Sequence, residues 1–183
     1  MYGLINQALK DMVCERPDGA RLWGEICRDA GVESQDFEAL EAYEDRTTEA
    51  LVGATARKLG SSPEEVLYNF GFHWISYTAE HGYGEMMDMF GKDLRSCLKN
   101  LNRMHGHMGA MMPKLSPPRF IVAENSADHV TLHYFSKRAG LGSMVVGLLD
   151  GLARKYGEHI SIEFIRKGVR SDHDEFEVYF HAP

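Results

Sequence analysis

Cysteine is scarce in this chain: there are three in 183 residues, at Cys14, Cys27 and Cys97. An odd, scattered set on apolar helical faces fits small buried thiols better than a disulfide framework or a cysteine-built zinc site. Positive charge is also short, with 20 Lys and Arg against 27 Asp and Glu, a net charge of −7 and no basic block. That argues against nucleic acid or an anionic membrane as the main partner. No run approaches the ~20 apolar residues of a membrane span. The opening Met1-Tyr2-Gly3-Leu4 lacks the charged start and unbroken apolar core of a secretory leader. A cytoplasmic protein is expected. Nucleophile elbows, phosphate loops and paired-carboxylate motifs are missing, so neither hydrolysis nor phosphoryl transfer is expected. No internal repeat, low-complexity stretch or flexible linker breaks the chain.

What is present reads first as a series of amphipathic helices. Leu4, Ile5, Ala8, Leu9, Met12 and Val13 form one stripe ending at Pro17-Asp18-Gly19, and Leu22, Trp23, Ile26, Cys27 and Ala30 form another ending at Gly31. A third helix is predicted from about Thr47 to Leu59. A fourth opens on Ser62-Pro63-Glu64-Glu65, which supplies an N-cap, a first-turn proline and a capping-box glutamate, and it reaches about Glu80. After the Gly82-Tyr83-Gly84 turn a short helix leads to the one spanning Asp93 to Met112. Beyond Pro113 the period changes. Arg119 to Ala123, Val130 to Phe135, Ile160 to Lys167 and Phe176 to His181 read as strands, with a helix from Gly142 to Tyr156 between the second and third. The expected class is α+β: a helical half over residues 1–115 packed on a β-β-α-β-β half over 116–183, joined by the stiff Pro113 to Pro118 segment.

Within the Asp93 to Met112 helix, Leu94, Cys97, Leu98, Leu101, His105, Met108 and Met112 share one face. His105 therefore points inward. A buried imidazole without a partner costs on the order of 1–3 kcal/mol, and its own face offers only alkyl groups, a thiol and thioethers. A backbone carbonyl, another side chain or a metal can meet that need. Further along, Tyr134, Ser136 and Arg138 are spaced by two at a strand end, so extended backbone sends a phenol, a hydroxyl and a guanidinium off one face. Such a row is either a solvated strand end or a cradle for carboxylate oxygens. Taken together, an inward imidazole, a carboxylate-binding row and a proline corner suit a flat apolar cofactor with a central metal and two carboxylates. Haem has that form.

The whole chain resembles the haem nitric oxide/oxygen-binding (H-NOX) family, whose domain also occurs in soluble guanylate cyclase. The likeness rests on MYGLINQAL, FGFHWISYT with the following GYG, LNRMHGHM, PPRF, LHYFSKR and MVVGLLDGL, in the family's order. The resemblance implies haem b held between the two halves, with His105 as the axial ligand of the iron. It further implies that Tyr134, Ser136 and Arg138 hold the propionates and that Pro118 and Ile5 press on the porphyrin. On the distal side, Met144 stands where oxygen-binding members carry tyrosine, and Trp74 and Leu148 match the other positions. Dioxygen is retained with the help of a hydrogen-bond donor and nitric oxide is not, so a methionine favours nitric oxide and carbon monoxide. The Trp74 indole N–H is one possible donor, and plain core packing also explains Trp74 and Met144.

The resemblance thus implies a non-catalytic gas sensor in which nitric oxide binding loosens His105 and shifts its helix. The chain ends at Pro183 without an output domain, so a separate partner is expected, a histidine kinase or a cyclic dinucleotide enzyme. The rivals are an oxygen sensor or carrier of the same fold, which needs a distal donor, a haem enzyme, which needs a distal acid or base, and a cofactor-free protein-interaction domain, which would show no Soret absorption. His107 lies two residues from His105, about 200° around the helix, and should be exposed. Asp172-His173-Asp174 has metal-ligand residues but falls in a predicted polar turn, so a solvated loop is expected and no metal beyond haem iron.

Overall fold

The computed structural model describes residues 1–165 and 173–182. Its elements run α1 (Gly3–Cys14), α2 (Gly19–Asp29), α3 (Asp45–Leu59), α4 (Pro63–Thr78), α5 (Gly84–Met89), α6 (Leu94–Met111), β1 (Arg119–Ser126), β2 (His129–Phe135), α7 (Gly142–Tyr156), β3 (His159–Ile165) and β4 (Asp174–His181). The four strands form one antiparallel sheet in the order β1-β2-β4-β3. This is the α+β class expected from the sequence. Lys167, at the end of the third predicted strand, and Asp172 lie outside the described residues. Among the described residues no helix is long and apolar enough to cross a membrane.

Local chemistry accounts for the helix starts. Ser62 accepts from the Glu65 N–H while the Glu65 carboxylate accepts from the Ser62 N–H, with Pro63 in the first turn. Asp93 and Ser96 make the same reciprocal pair at the head of α6. The predicted run to Glu80 stops at Thr78 and passes into a π-helical turn, Ala79–Tyr83. Gly82 adopts φ +90° there, a conformation that side chains disfavour, and this ends the regular helix.

Two apolar cores form. The first gathers Leu9, Trp23, Ile26, Leu51 and Phe70 from α1 to α4, and the second gathers Leu98, Leu132, Leu149, Phe176 and Val178 from α6, α7 and the sheet. Helix α6 passes from one to the other: Leu94, Cys97, Leu98 and Leu101 belong to the second core, whereas Met108 and Met112 pack in the first. His105 sits at that handover. Helix α4 faces both cores, with Phe70 and Tyr77 in the first and Ile75 in the second, and Trp74 packs against both.

Helices α4 and α7 cross with their backbones in contact. A Cβ on Gly71 would overlap the Met144 carbonyl oxygen and lie 2.9 Å from the Leu148 nitrogen, and one on Gly147 would overlap the Tyr68 carbonyl oxygen. Alanine at either position would drive the helices apart, an overpacking cost of about 1–3 kcal/mol or more. The same two glycines fix where Met144 and Leu148 stand relative to Trp74, three residues along α4.

Candidate functional site

His105 is half-buried on α6, and its Nδ1 is shielded from solvent with no hydrogen-bond partner among the described residues. Burial pushes the imidazole pKa below its ordinary value near 6.5, so the ring is neutral at pH 7, the form a metal requires. Its face is stacked on Phe120 of β1, centroids 5.7 Å apart and planes 15° from parallel. Phe120 in turn packs on Tyr134, at 5.3 Å. Three residues before His105, Asn102 clasps the backbone of that same phenylalanine. Its amide donates to the Phe120 carbonyl at 2.5 Å, and its oxygen accepts the Phe120 N–H at 2.9 Å. Strand β1 is an edge strand, and Asn102 satisfies groups on its open side, tying α6 to the sheet. His107 is exposed, as its position on the helix requires.

Tyr134 faces the second core and is 5% exposed. Burial pushes its phenol pKa up, and a hydrogen bond with Ser136 works against that. The predicted row of three holds only to the strand end. Strand β2 stops at Phe135, and beyond it the Ser136 hydroxyl folds back to accept the Arg138 N–H at 3.0 Å. Serine competes with the ladder for its own neighbours' backbone in this way. The three residues stay together, but as a strand end followed by a turn.

The Arg138 guanidinium is braced from outside the motif. Its Nε and Nη2 donate to the two oxygens of Asp45 at 2.7 and 3.1 Å, and Nη1 donates to the Ser116 carbonyl at 3.1 Å. The same Asp45 carboxylate accepts from the Met1 ammonium at 2.6 Å. Hydrogen bonds from Arg138 and then from that ammonium hold the Asp45 carboxyl below the usual range. A guanidinium carries five N–H groups, so the three bonds made leave one donor on each terminal nitrogen. A ligand carboxylate can take both.

Pro118 is half-buried just before β1, and Ile5 is half-buried on α1 against the first core. Met144 and Leu148 stand on α7 where its backbone meets Gly71 of α4, Met144 against the first core and Leu148 against the second, and Trp74 follows three residues along α4. Trp74 lies between Phe70 and Tyr77, at 5.9 and 6.3 Å. His173 departs from its expected place in a solvated loop: it is half-buried, with His133 and Glu175 each within 3.1 Å of its Nε2. Cross-strand neighbours explain the difference, since no local pattern reveals which groups a turn residue meets. Cys14, Cys27 and Cys97 are free thiols, the last two buried.

The residues present fit haem. An apolar seam with an orphaned, neutral imidazole has room chemically for an iron ligand, and a buried phenol, a hydroxyl and two spare guanidinium donors suit two propionates. Fold and site together define a haem-binding sensor domain. The chain matches the Haem-NO-binding family over residues 2–164 and belongs to it.

Among its relatives, the soluble guanylate cyclase gcy-35 of Caenorhabditis elegans is 30% identical over 158 residues, covering 85% of this chain and 23% of that protein. The cyclase gcy-33 of the same organism is 26% identical over 168 residues, 91% of this chain and 18% of that one. The chain thus spans less than a quarter of the length of these curated relatives. Among solved structures, an H-NOX protein from S. oneidensis in the Fe(II)NO state superposes with a TM-score of 0.89 at 21% identity, over all of both chains. Unliganded H-NOX from K. algicida gives 0.87 at 19% identity, covering 100% of this chain and 98% of that one. An oxygen-binding H-NOX domain gives 0.82 at 22% identity, covering 100% and 96%. At these identities the likeness establishes the fold.

Proposed function

We propose that this chain is a ferrous haem b sensor for nitric oxide, which also takes carbon monoxide, performs no catalysis of its own and acts in the cytoplasm. The observation that carries this reading is the orphaned Nδ1 of His105 at the handover between the two cores. Bound haem would supply a ferrous iron able to take a diatomic gas, and His105 is the residue that would hold that iron. Tyr134, Ser136 and the two spare N–H groups of Arg138 hold the propionates, while Pro118 and Ile5 press on the macrocycle. Met144 and Leu148 exclude water and offer no donor, leaving the Trp74 N–H as the sole donor among the three distal residues. A pocket so poor in donors retains nitric oxide and carbon monoxide better than dioxygen.

Signalling follows from where α6 is anchored. One half lies in each core, and Asn102 fastens it to Phe120, so a change in the pull on His105 is felt by both halves and by the edge of the sheet. A separate partner, a histidine kinase or a cyclic dinucleotide enzyme, would respond through differential affinity for the two forms, a coupling of about 1–3 kcal/mol. Amide hydrogen exchange on the reduced, haem-loaded protein tests this. Nitric oxide should speed exchange in the half of α6 beyond Leu101 and at the Phe120 N–H while α2 stays unchanged. Identical exchange in α6 with and without the gas would contradict the reading.

A further inference from the structure

On the sheet face turned away from the second core, β2 and β4 set His133 directly opposite Glu175. His173, just before β4, completes a triangle. Its Nε2 lies 3.1 Å from His133 Nδ1 and 3.1 Å from Glu175 Oε1, and the third side, His133 Nδ1 to Glu175 Oε1, is 3.2 Å. We propose that these three atoms form a zinc site distinct from the haem site.

Proton bookkeeping argues against a purely hydrogen-bonded triad. Each imidazole nitrogen is either a donor or an acceptor, never both, so at most two of the three sides can carry a proton. With both nitrogens protonated, two N–H groups would oppose each other at 3.1 Å. A divalent cation engages all three atoms at once. Zinc bonds of about 2.0–2.1 Å in tetrahedral array imply ligand–ligand edges of about 3.3 Å, and the observed sides fall short by only one or two tenths of an ångström. Two neutral imidazoles and one carboxylate suit zinc among the common divalent ions, and the fourth position is left for water.

The donors are held in place. Glu175 is 8% exposed, and the Phe135 ring stacks on His173 with centroids 4.5 Å apart. His173 and Glu175 also make contacts beyond the triangle. A second carboxylate–histidine group among the described residues, Asp11, Glu15 and His73, lacks this convergence. Asp11 meets His73 Nε2 at 3.0 Å and Glu15 meets the opposite nitrogen, Nδ1, at 3.6 Å, so the two carboxylates approach the ring from different sides.

Bound zinc would pin β2 to β4 at the end where β2 runs on into Ser136 and Arg138, with Tyr134 on the opposite face of the strand. The site would thus brace the row that faces the propionates. It does not depend on the haem reading, because zinc content and haem content are measured separately.

The test is metal content and zinc K-edge absorption of the full chain purified without chelator, followed by zinc titration against a competing chromophoric chelator. One zinc per chain with nitrogen and oxygen ligands at about 2.0 Å is expected. His133→Ala, His173→Ala and the near-isosteric Glu175→Gln should each weaken zinc binding by about 100-fold or more, beyond the 10–100-fold typical of residues that only orient a ligand. Glu15→Gln should leave it unchanged. Circular dichroism and the Tm of each variant show whether it is folded. Failure of the folded wild-type chain to take up zinc at micromolar free metal would overturn the proposal, as would uptake that Glu175→Gln and both histidine variants leave intact.

Discussion

His105→Gly is expected to abolish haem retention. Protein purified without added imidazole should lose its Soret band, and imidazole diffusing into the vacated space should restore it. Other polar groups around the seam are engaged elsewhere: Asn102 with the Phe120 backbone, the Ser136 oxygen accepting the Arg138 N–H, and three of the five Arg138 N–H groups with Asp45 and Ser116. No second imidazole stands ready, since His107 is exposed on another face of α6. Stability should move the opposite way from haem affinity. The shielded Nδ1 has no partner, so His105→Leu, which exchanges an unsatisfied polar group for an apolar one, should stabilise the haem-free protein by about 1–2 kcal/mol in a urea titration. A histidine kept for core hydrogen bonding would show the reverse, destabilisation on replacement. Retention of haem by His105→Gly without imidazole would remove the ligand assignment.

Met144→Tyr should confer oxygen binding. Met144 sits where α7 presses on Gly71, one turn before Leu148 and beside the helix that carries Trp74. A phenol there adds a hydrogen-bond donor to a pocket otherwise supplied only by the Trp74 indole. A neutral hydrogen bond in an apolar site contributes about 1–2 kcal/mol, which corresponds to roughly 5–30-fold in oxygen affinity, with little change for nitric oxide. The larger ring also crowds a tight helix crossing at a cost of about 1–3 kcal/mol of stability, readable as a lowered Tm. Oxygen affinity in Met144→Tyr no greater than in the wild type would show that pocket shape, and not the missing donor, sets the selectivity.

Much of this architecture is legible in the sequence because local chemistry writes it. The Ser62–Glu65 capping box, the Leu94 to Met112 stripe and the bounds of α7 follow from spacing and caps, and the structure keeps each of them. Strands are less well bounded. β1 extends to Ser126, past the predicted Ala123, because its last residues are exposed and polar while the ladder with β2 continues through them. What stays hidden is long-range pairing. Asp45 looks like one acid in a charged stretch, and its role appears only when Arg138, 93 residues away, closes on it. Phe120 and Asn102 read as ordinary strand and helix residues until the fold lays β1 along α6. Gly71 and Gly147 carry no periodic signal, since what matters is the backbone that each one faces. The His133–His173–Glu175 triangle depends on the β2–β4 register, which hydrophobic alternation alone does not specify.

The most direct measurement is the absorption spectrum of the reduced, purified protein, first in air and then with nitric oxide. A nitric oxide sensor with His105 as its iron ligand predicts a Soret band that shifts on nitric oxide and on carbon monoxide but does not change as air is admitted. Absence of a Soret band in protein expressed with ample haem would contradict haem binding, and a stable oxygen complex forming in air would contradict the selectivity assigned to Met144.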